Sequence, residues 1–167
     1  MSIQNDYFDT QDNPLDHVEE VLSAHNWSFS RITDEELMVQ VAGKNCNYDL
    51  FFIWQDNMNA LQFCAQYNFV IPQERMDKAA YLLMNINRNL WLGHFEIADD
   101  NRLPSFRHTC LYRGIQRTGG GSDLEDLMDV ALAQCESYYA AFYLLAHDDY
   151  ADDQNMALAL METMGES

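Results

Sequence analysis

His94 and His108 fall on what read as neighbouring arms of one hairpin, the arrangement in which two imidazoles could share a metal ion. The apolar pattern argues against that use. Matching Phe95 to Phe106 and Ile97 to Pro104 sets a register that places His94 beside Arg107, while His108 joins the Phe106 face. The two rings then point to opposite faces, so His108 is expected in the core and His94 in solvent. The other constellations are no more diagnostic. Cys46, Cys64, Cys110 and Cys135 are widely separated and form no CxxC pair, which is neither zinc-site spacing nor a disulfide scaffold and fits a reducing cytoplasm. Thr118-Gly119-Gly120-Gly121-Ser122 before a helix could cradle an anion, but Asp123, Glu125 and Asp126 would repel one, and a flexible linker is the simpler reading. Asp126 and Asp129 share a helix face and could in principle bind a cation or exchange protons, but a solvated helix face is the usual explanation. No GxSxG, HExxH, GxxxxGK[ST] or GxGxxG motif occurs. The expectation is no catalytic residue, no cofactor and no bound metal.

Adhesive side chains are more informative. Tyr48, Leu50, Phe52 and Trp54 lie on one face of a strand while Phe51 and Ile53 lie on the other, so both faces are apolar. Such a strand is either central or has a second face that meets a partner. Met156, Leu160, Met161 and Met164 place adaptable apolar groups on a short helix beyond an acidic hinge, where they can dock on the same domain, on a second copy or on another protein. These six residues are the candidate binding positions.

The elements that carry them follow from periodicity. Asn13-Pro14 reads as a helix start, with Leu15, Val18, Val21 and Leu22 forming one stripe to about His25. The period then changes to two: Phe29 to Ile32 is a short strand, Leu37, Val39 and Val41 alternate with Met38 and Gln40, and the Tyr48 to Trp54 strand is followed by one from Leu61 to Phe69. Pro72 opens a second helix with Met76, Ala79, Ala80, Leu83, Ile86 and Leu90 inward, closed by Gly93. After the His94–His108 hairpin, Ser122 and Glu125 have capping-box spacing, and Leu124, Leu127, Met128, Ala131, Cys135, Tyr138, Phe142 and Leu145 stripe a long third helix. The expected fold is α+β, an antiparallel sheet flanked by helices. Its order is helix, three to four strands, helix, two strands, long helix, short C-terminal helix. Residues 1–12 read as a disordered acidic leader, 13–147 as a single domain, and 148–167 as the hinge and last helix.

Charge narrows the class of partner. The net charge is −18, yet all nine basic residues lie between Arg31 and Arg117, where ten acids nearly balance them. Six acids before residue 31 and eleven after residue 117 carry the remainder. Such a field repels phosphate backbones and anionic lipid, so nucleic-acid and membrane roles are not expected, whereas a basic protein partner is compatible. Asp6, Asp9 and Asp12 near the start, without Lys, Arg or an apolar run, do not read as an export signal, and no stretch approaches the ~20 apolar residues of a membrane span.

Asn89-Leu90-Trp91-Leu92-Gly93-His94-Phe95-Glu96 and Leu103-Pro104-Ser105-Phe106-Arg107-His108 resemble the YbjN family of bacterial sensory transduction regulators. The resemblance extends from Asn13-Pro14-Leu15, through Tyr48 to Trp54 and Ala60-Leu61-Gln62-Phe63, to Met161-Glu162-Thr163-Met164-Gly165. That family is similar in turn to type III secretion chaperones, small acidic dimers with the same element order, which implies a chaperone-like fold and a homodimer. It carries over no catalytic residue. The function expected is a non-enzymatic protein-binding module, chaperone-like or regulatory. The alternative is a small-molecule sensor whose pocket between sheet and third helix is lined by Trp54, Tyr67 and Tyr138.

Overall fold

The computed structural model describes residues 13–111, 120–147 and 158, excepting the side chains of 120–122. Asn13 caps the first helix, its side-chain oxygen accepting the Leu15 N–H at 3.0 Å, and Pro14 supplies a helical φ where no backbone donor is needed. This helix, α1 (Pro14–Ala24), buries Leu15, Val18, Val21 and Leu22. Asn26 ends it at φ +57°, with the Trp27 N–H bonded to the Leu22 carbonyl and the Asn26 N–H to that of Ser23, a Schellman closure.

The strands are β1 (Phe29–Thr33), β2 (Glu36–Ala42), β3 (Asn47–Gln55), β4 (Ala60–Gln66), β5 (His94–Ile97) and β6 (Pro104–Leu111). They form one sheet in the order β1-β2-β3-β4-β6-β5, each neighbouring pair antiparallel. The helix α2 (Met76–Asn89) connects β4 to β5, and β6 returns between them, leaving β5 at the edge. The helix α3 (Gly120–His147) follows. The fold class is therefore α+β with an open antiparallel sheet, as the periodicity indicates. The expected last helix around 156–164 lies outside the described residues apart from Leu158, which is helical and exposed.

Register places Leu37, Val39, Leu50, Phe52, Phe63, Ala65, Phe106 and Phe95 on one face, all essentially buried. They join one core with the stripe of α1 and with Leu124, Leu127, Met128, Ala131, Cys135, Tyr138, Phe142 and Leu145 of α3. A helix of 28 residues is about 42 Å long at ~1.5 Å per residue, enough to cross the sheet. Glu136 of α3 grips the β2–β3 turn, its carboxylate accepting the Lys44 N–H and an Asn45 amide hydrogen. A Cβ at Gly43 would overlap that carboxylate, so glycine is required for the close approach.

Four local expectations change. The β4 strand ends at Gln66 rather than Phe69, and beyond it Tyr67 and Ile71 donate to the carbonyls of Pro104 and Arg102. Pro72 opens a 3-10 turn, Gln73–Arg75, and α2 starts only at Met76. Within α2 the buried residues are Ala79, Leu82 and Ile86; Ala80 is exposed and Leu83 only half-buried. Finally, Gly120 and Gly121 belong to α3, and the Glu125 carboxylate lies 3.0 Å from His25 Nε2 at the end of α1. Part of the expected linker is thus the first turn of the long helix.

Candidate functional site, the outer face of the sheet

Alternation sends every second side chain of the sheet away from α1 and α3. On that outer face Phe51 and Ile53 of β3 are only partly buried, whereas their neighbours Phe52 and Trp54 are 0% and 6% exposed. Cross-strand pairing extends the surface in two rows. Met38, Phe51, Cys64, Arg107 and His94 lie side by side from β2 to β5, and Glu36, Ile53, Gln62 and Thr109 form the next row. Met38, Cys64 and Gln62 are half-buried like Phe51 and Ile53, so the middle of the face is an apolar patch bordered by polar side chains.

Charge is organised at its β5 border. Arg107 Nη1 donates to both oxygens of Glu96 at 3.2 Å, and His94 Nε2 lies 3.5 Å from the same carboxylate. The predicted register is observed: His94 pairs with Arg107, Phe95 with Phe106 and Ile97 with Pro104. His94 is exposed, and His108, on the core side, is half-buried, with burial holding its imidazole below the usual range. Burial likewise raises the Cys64 thiol, which disfavours the thiolate needed for a nucleophile. Among the described residues, no group of three or more His, Cys, Asp or Glu is gathered to hold a metal ion.

Several basic residues of the near-neutral middle serve the fold. Arg31 meets Glu19 at 2.8 Å and Asp16 at 3.4 Å across α1 and also donates to the Asp34 carbonyl. Arg75 and Arg102 donate to the carbonyls of Leu145 and Ile71. The four cysteines are free thiols, three half-buried and Cys135 fully buried.

Of the six candidate positions, the structure brings Phe51 and Ile53 to one surface, while Met156, Leu160, Met161 and Met164 lie outside the described residues. The three rings expected to line a pocket occupy core volume: Trp54, Tyr67 and Tyr138 are 6%, 1% and 7% exposed. Tyr67 is in ring contact with Tyr48, Phe69, Phe95 and Phe142, and its hydroxyl donates to the Cys135 carbonyl. Sequence reasoning missed Met38 and Cys64, whose partnership with Phe51 needed the strand register. It also missed Tyr81, Met84 and Trp91, which are 64%, 56% and 91% exposed around α2.

No helix among the described residues is long and apolar enough to cross a membrane. No curated protein matches the sequence. The crystal structure of YbjN from E. coli, described as "a putative transcription regulator", is similar in fold. It has a TM-score of 0.50 and 16% identity, over 75% of this chain and 93% of that one. The model of the YbjN family, described as "Putative bacterial sensory transduction regulator", matches residues 14–144, which take in α1, the whole sheet and nearly all of α3, and on that extent the chain belongs to the YbjN family.

Proposed function

We propose that this protein is a non-enzymatic regulatory module of the bacterial cytoplasm that binds a protein partner on the outer face of its sheet. The observation that carries this reading is the placement of Phe51 and Ile53 beside Met38 and Cys64 on a face that α1 and α3 leave to the other side. The family's regulatory description supports it, and the four free thiols fit a reducing compartment. A partner with an apolar centre and basic margins suits the patch, since the whole molecule carries −18 and its field favours encounter with cations. The same field disfavours nucleic acid and anionic membrane as ligands.

The test is recovery of proteins from a lysate of the source cells by the immobilised full chain at low and at high salt, set beside Phe51→Asp and Ile53→Asp. A specific protein should be retained by the wild type and lost by both variants, with weaker retention at high salt. Retention of no specific protein at either salt, or equal retention by the variants, would overturn the assignment. Both variants should keep the fold, checked by circular dichroism, at a stability cost of about 1–3 kcal/mol, because the replaced side chains are half-buried but face away from the core.

A further inference from the structure

The exposed side of α2 carries large apolar side chains, Tyr81 and Met84, among its charged and polar ones. Tyr81, Met84 and Arg88, with Trp91 just past the helix end, recur at steps of 3, 4 and 3 residues, directly opposite the buried Ala79, Leu82 and Ile86. That spacing is the seam along which a second helix packs. Exposure of 64% at Tyr81, 56% at Met84 and 91% at Trp91 leaves the seam open among the described residues.

We infer that segment 148–167 of the same chain covers this seam, its Met156–Met164 stretch lying along α2. Three observations select this occupant. First, α3 delivers the segment to the right place: Arg75, immediately before α2, donates to the Leu145 carbonyl at 2.8 Å, so the chain leaves His147 beside the start of α2. Second, the lengths agree. From Lys78 to Arg88 is ten residues, about 15 Å of helix at ~1.5 Å per residue, and from Asp152 to Glu162 is the same number. Third, a parallel arrangement gives the acids of the segment cationic partners, Arg88 above all. Segment 148–167 carries Asp148, Asp149, Asp152, Asp153, Glu162 and Glu166 and no basic residue. Residues 73–91 carry Arg75 and Lys78, balanced by Glu74 and Asp77, at the start of α2, and Arg88 near its end, which supplies an excess of one positive charge on a strongly negative protein. Parallel packing puts the four aspartates near Arg75 and Lys78, Met156 and Leu160 on Tyr81 and Met84, and Glu162 near Arg88. Met side chains adapt to aromatic neighbours, which suits Tyr81 and Trp91. The seam is a different surface from the outer sheet face and does not depend on it.

Trp91 is the reporter. Acrylamide quenching of the full chain, with Trp91→Phe identifying the contribution of that ring, should show Trp91 shielded. Leu160→Asp and Met164→Asp should each raise its quenching constant roughly twofold or more and shift its emission to the red. Arg88→Glu should do the same, and Arg88→Glu combined with Glu162→Arg should restore shielding. A Trp91 that is fully accessible in the wild type, or indifferent to both segment variants, overturns the inference. So does shielding that is lost on dilution together with a fall in mass by light scattering, which would identify a second copy as the occupant. Shielding that appears only when a protein partner is added would identify that partner instead and equally reject the segment.

Discussion

Tyr48 illustrates how one side chain can serve packing at a cost in polarity. Its ring is 0% exposed and packs edge-on against Tyr67, but its hydroxyl is buried with no well-formed hydrogen bond among the described residues, facing only the weak Cys46 thiol. An orphaned buried hydroxyl costs about 1–3 kcal/mol. Tyr48→Phe is therefore expected to be neutral or to stabilise the protein by up to ~1 kcal/mol, read as an upward shift of the denaturation midpoint in urea. Burial also pushes the Tyr48 and Tyr67 phenols and the Cys135 thiol upward, from ordinary values of 10.0 and 9.0. In the folded state these groups keep their protons to higher pH than in the unfolded chain, so the unfolded state binds fewer protons in alkali. Stability is fully present below about pH 9 and falls as pH rises above it. Thermal melts from pH 7 to 11 should show a decline beginning near pH 9, and Cys135→Ala should make that decline shallower. A melting temperature independent of pH in this window would contradict the burial of all three groups. The positions and alternation of these residues were legible in the sequence, whereas the poor pairing of the Tyr48 hydroxyl was not, because it depends on how the β2–β3 turn places the Cys46 thiol against that ring.

Elements are held to one another by a few polar links and two tight approaches. Gly93 lies at φ +67°, and a Cβ there would overlap the Phe106 ring that anchors β6 to β5. Gly93→Ala is expected to cost about 2 kcal/mol or more, combining a left-handed backbone with overpacking, measurable by equilibrium unfolding. At the other end of the sheet, Glu136 ties α3 to the β2–β3 turn. Glu136→Ala should cost only about 1 kcal/mol, since this link is partly in water, but should speed amide exchange at Lys44 markedly. The ends of α1, the strand alternation and the β5–β6 register could be read from the chain, because each is fixed by neighbours a few residues apart, whereas α2 stops at Asn89 before Gly93 and α3 starts at Gly120, ahead of the Ser122 cap its spacing suggested. The start of α2 could not: Pro72 announces a helix, yet the backbone first makes a 3-10 turn before Met76. Nor could the choice between Leu82 and Leu83 for the core, which adjacent residues with the same hydrophobicity leave open until β5 is in place.

At the scale of the whole molecule, acidity and apolar surface act together. A net charge of −18 opposes the compact state through self-repulsion, so the melting temperature should rise between about 10 and 200 mM monovalent salt, as the Debye length shortens from ~30 Å to below ~10 Å. A flat salt response would mean that the charges at the two ends of the chain do not sense one another. The amino-acid sequence by itself determined the α+β class, the element order, the inward stripe of α1 and α3, and the pairing of His94 with Arg107. Those follow from local period and turn chemistry, and a one-residue slip would turn every strand inside out. Family membership was equally legible in the segments around Trp91 and Phe106. Only the tertiary structure decided what the doubly apolar β3 strand means. Two helices can cover one face of a sheet, and which face they cover, with which neighbours left around Phe51 and Ile53, is set by contacts between residues up to about a hundred positions apart, such as His25 with Glu125. The same long-range packing fixed the orientation of α2 and so left Tyr81, Met84 and Trp91 outward, a surface that the sequence contains but does not orient.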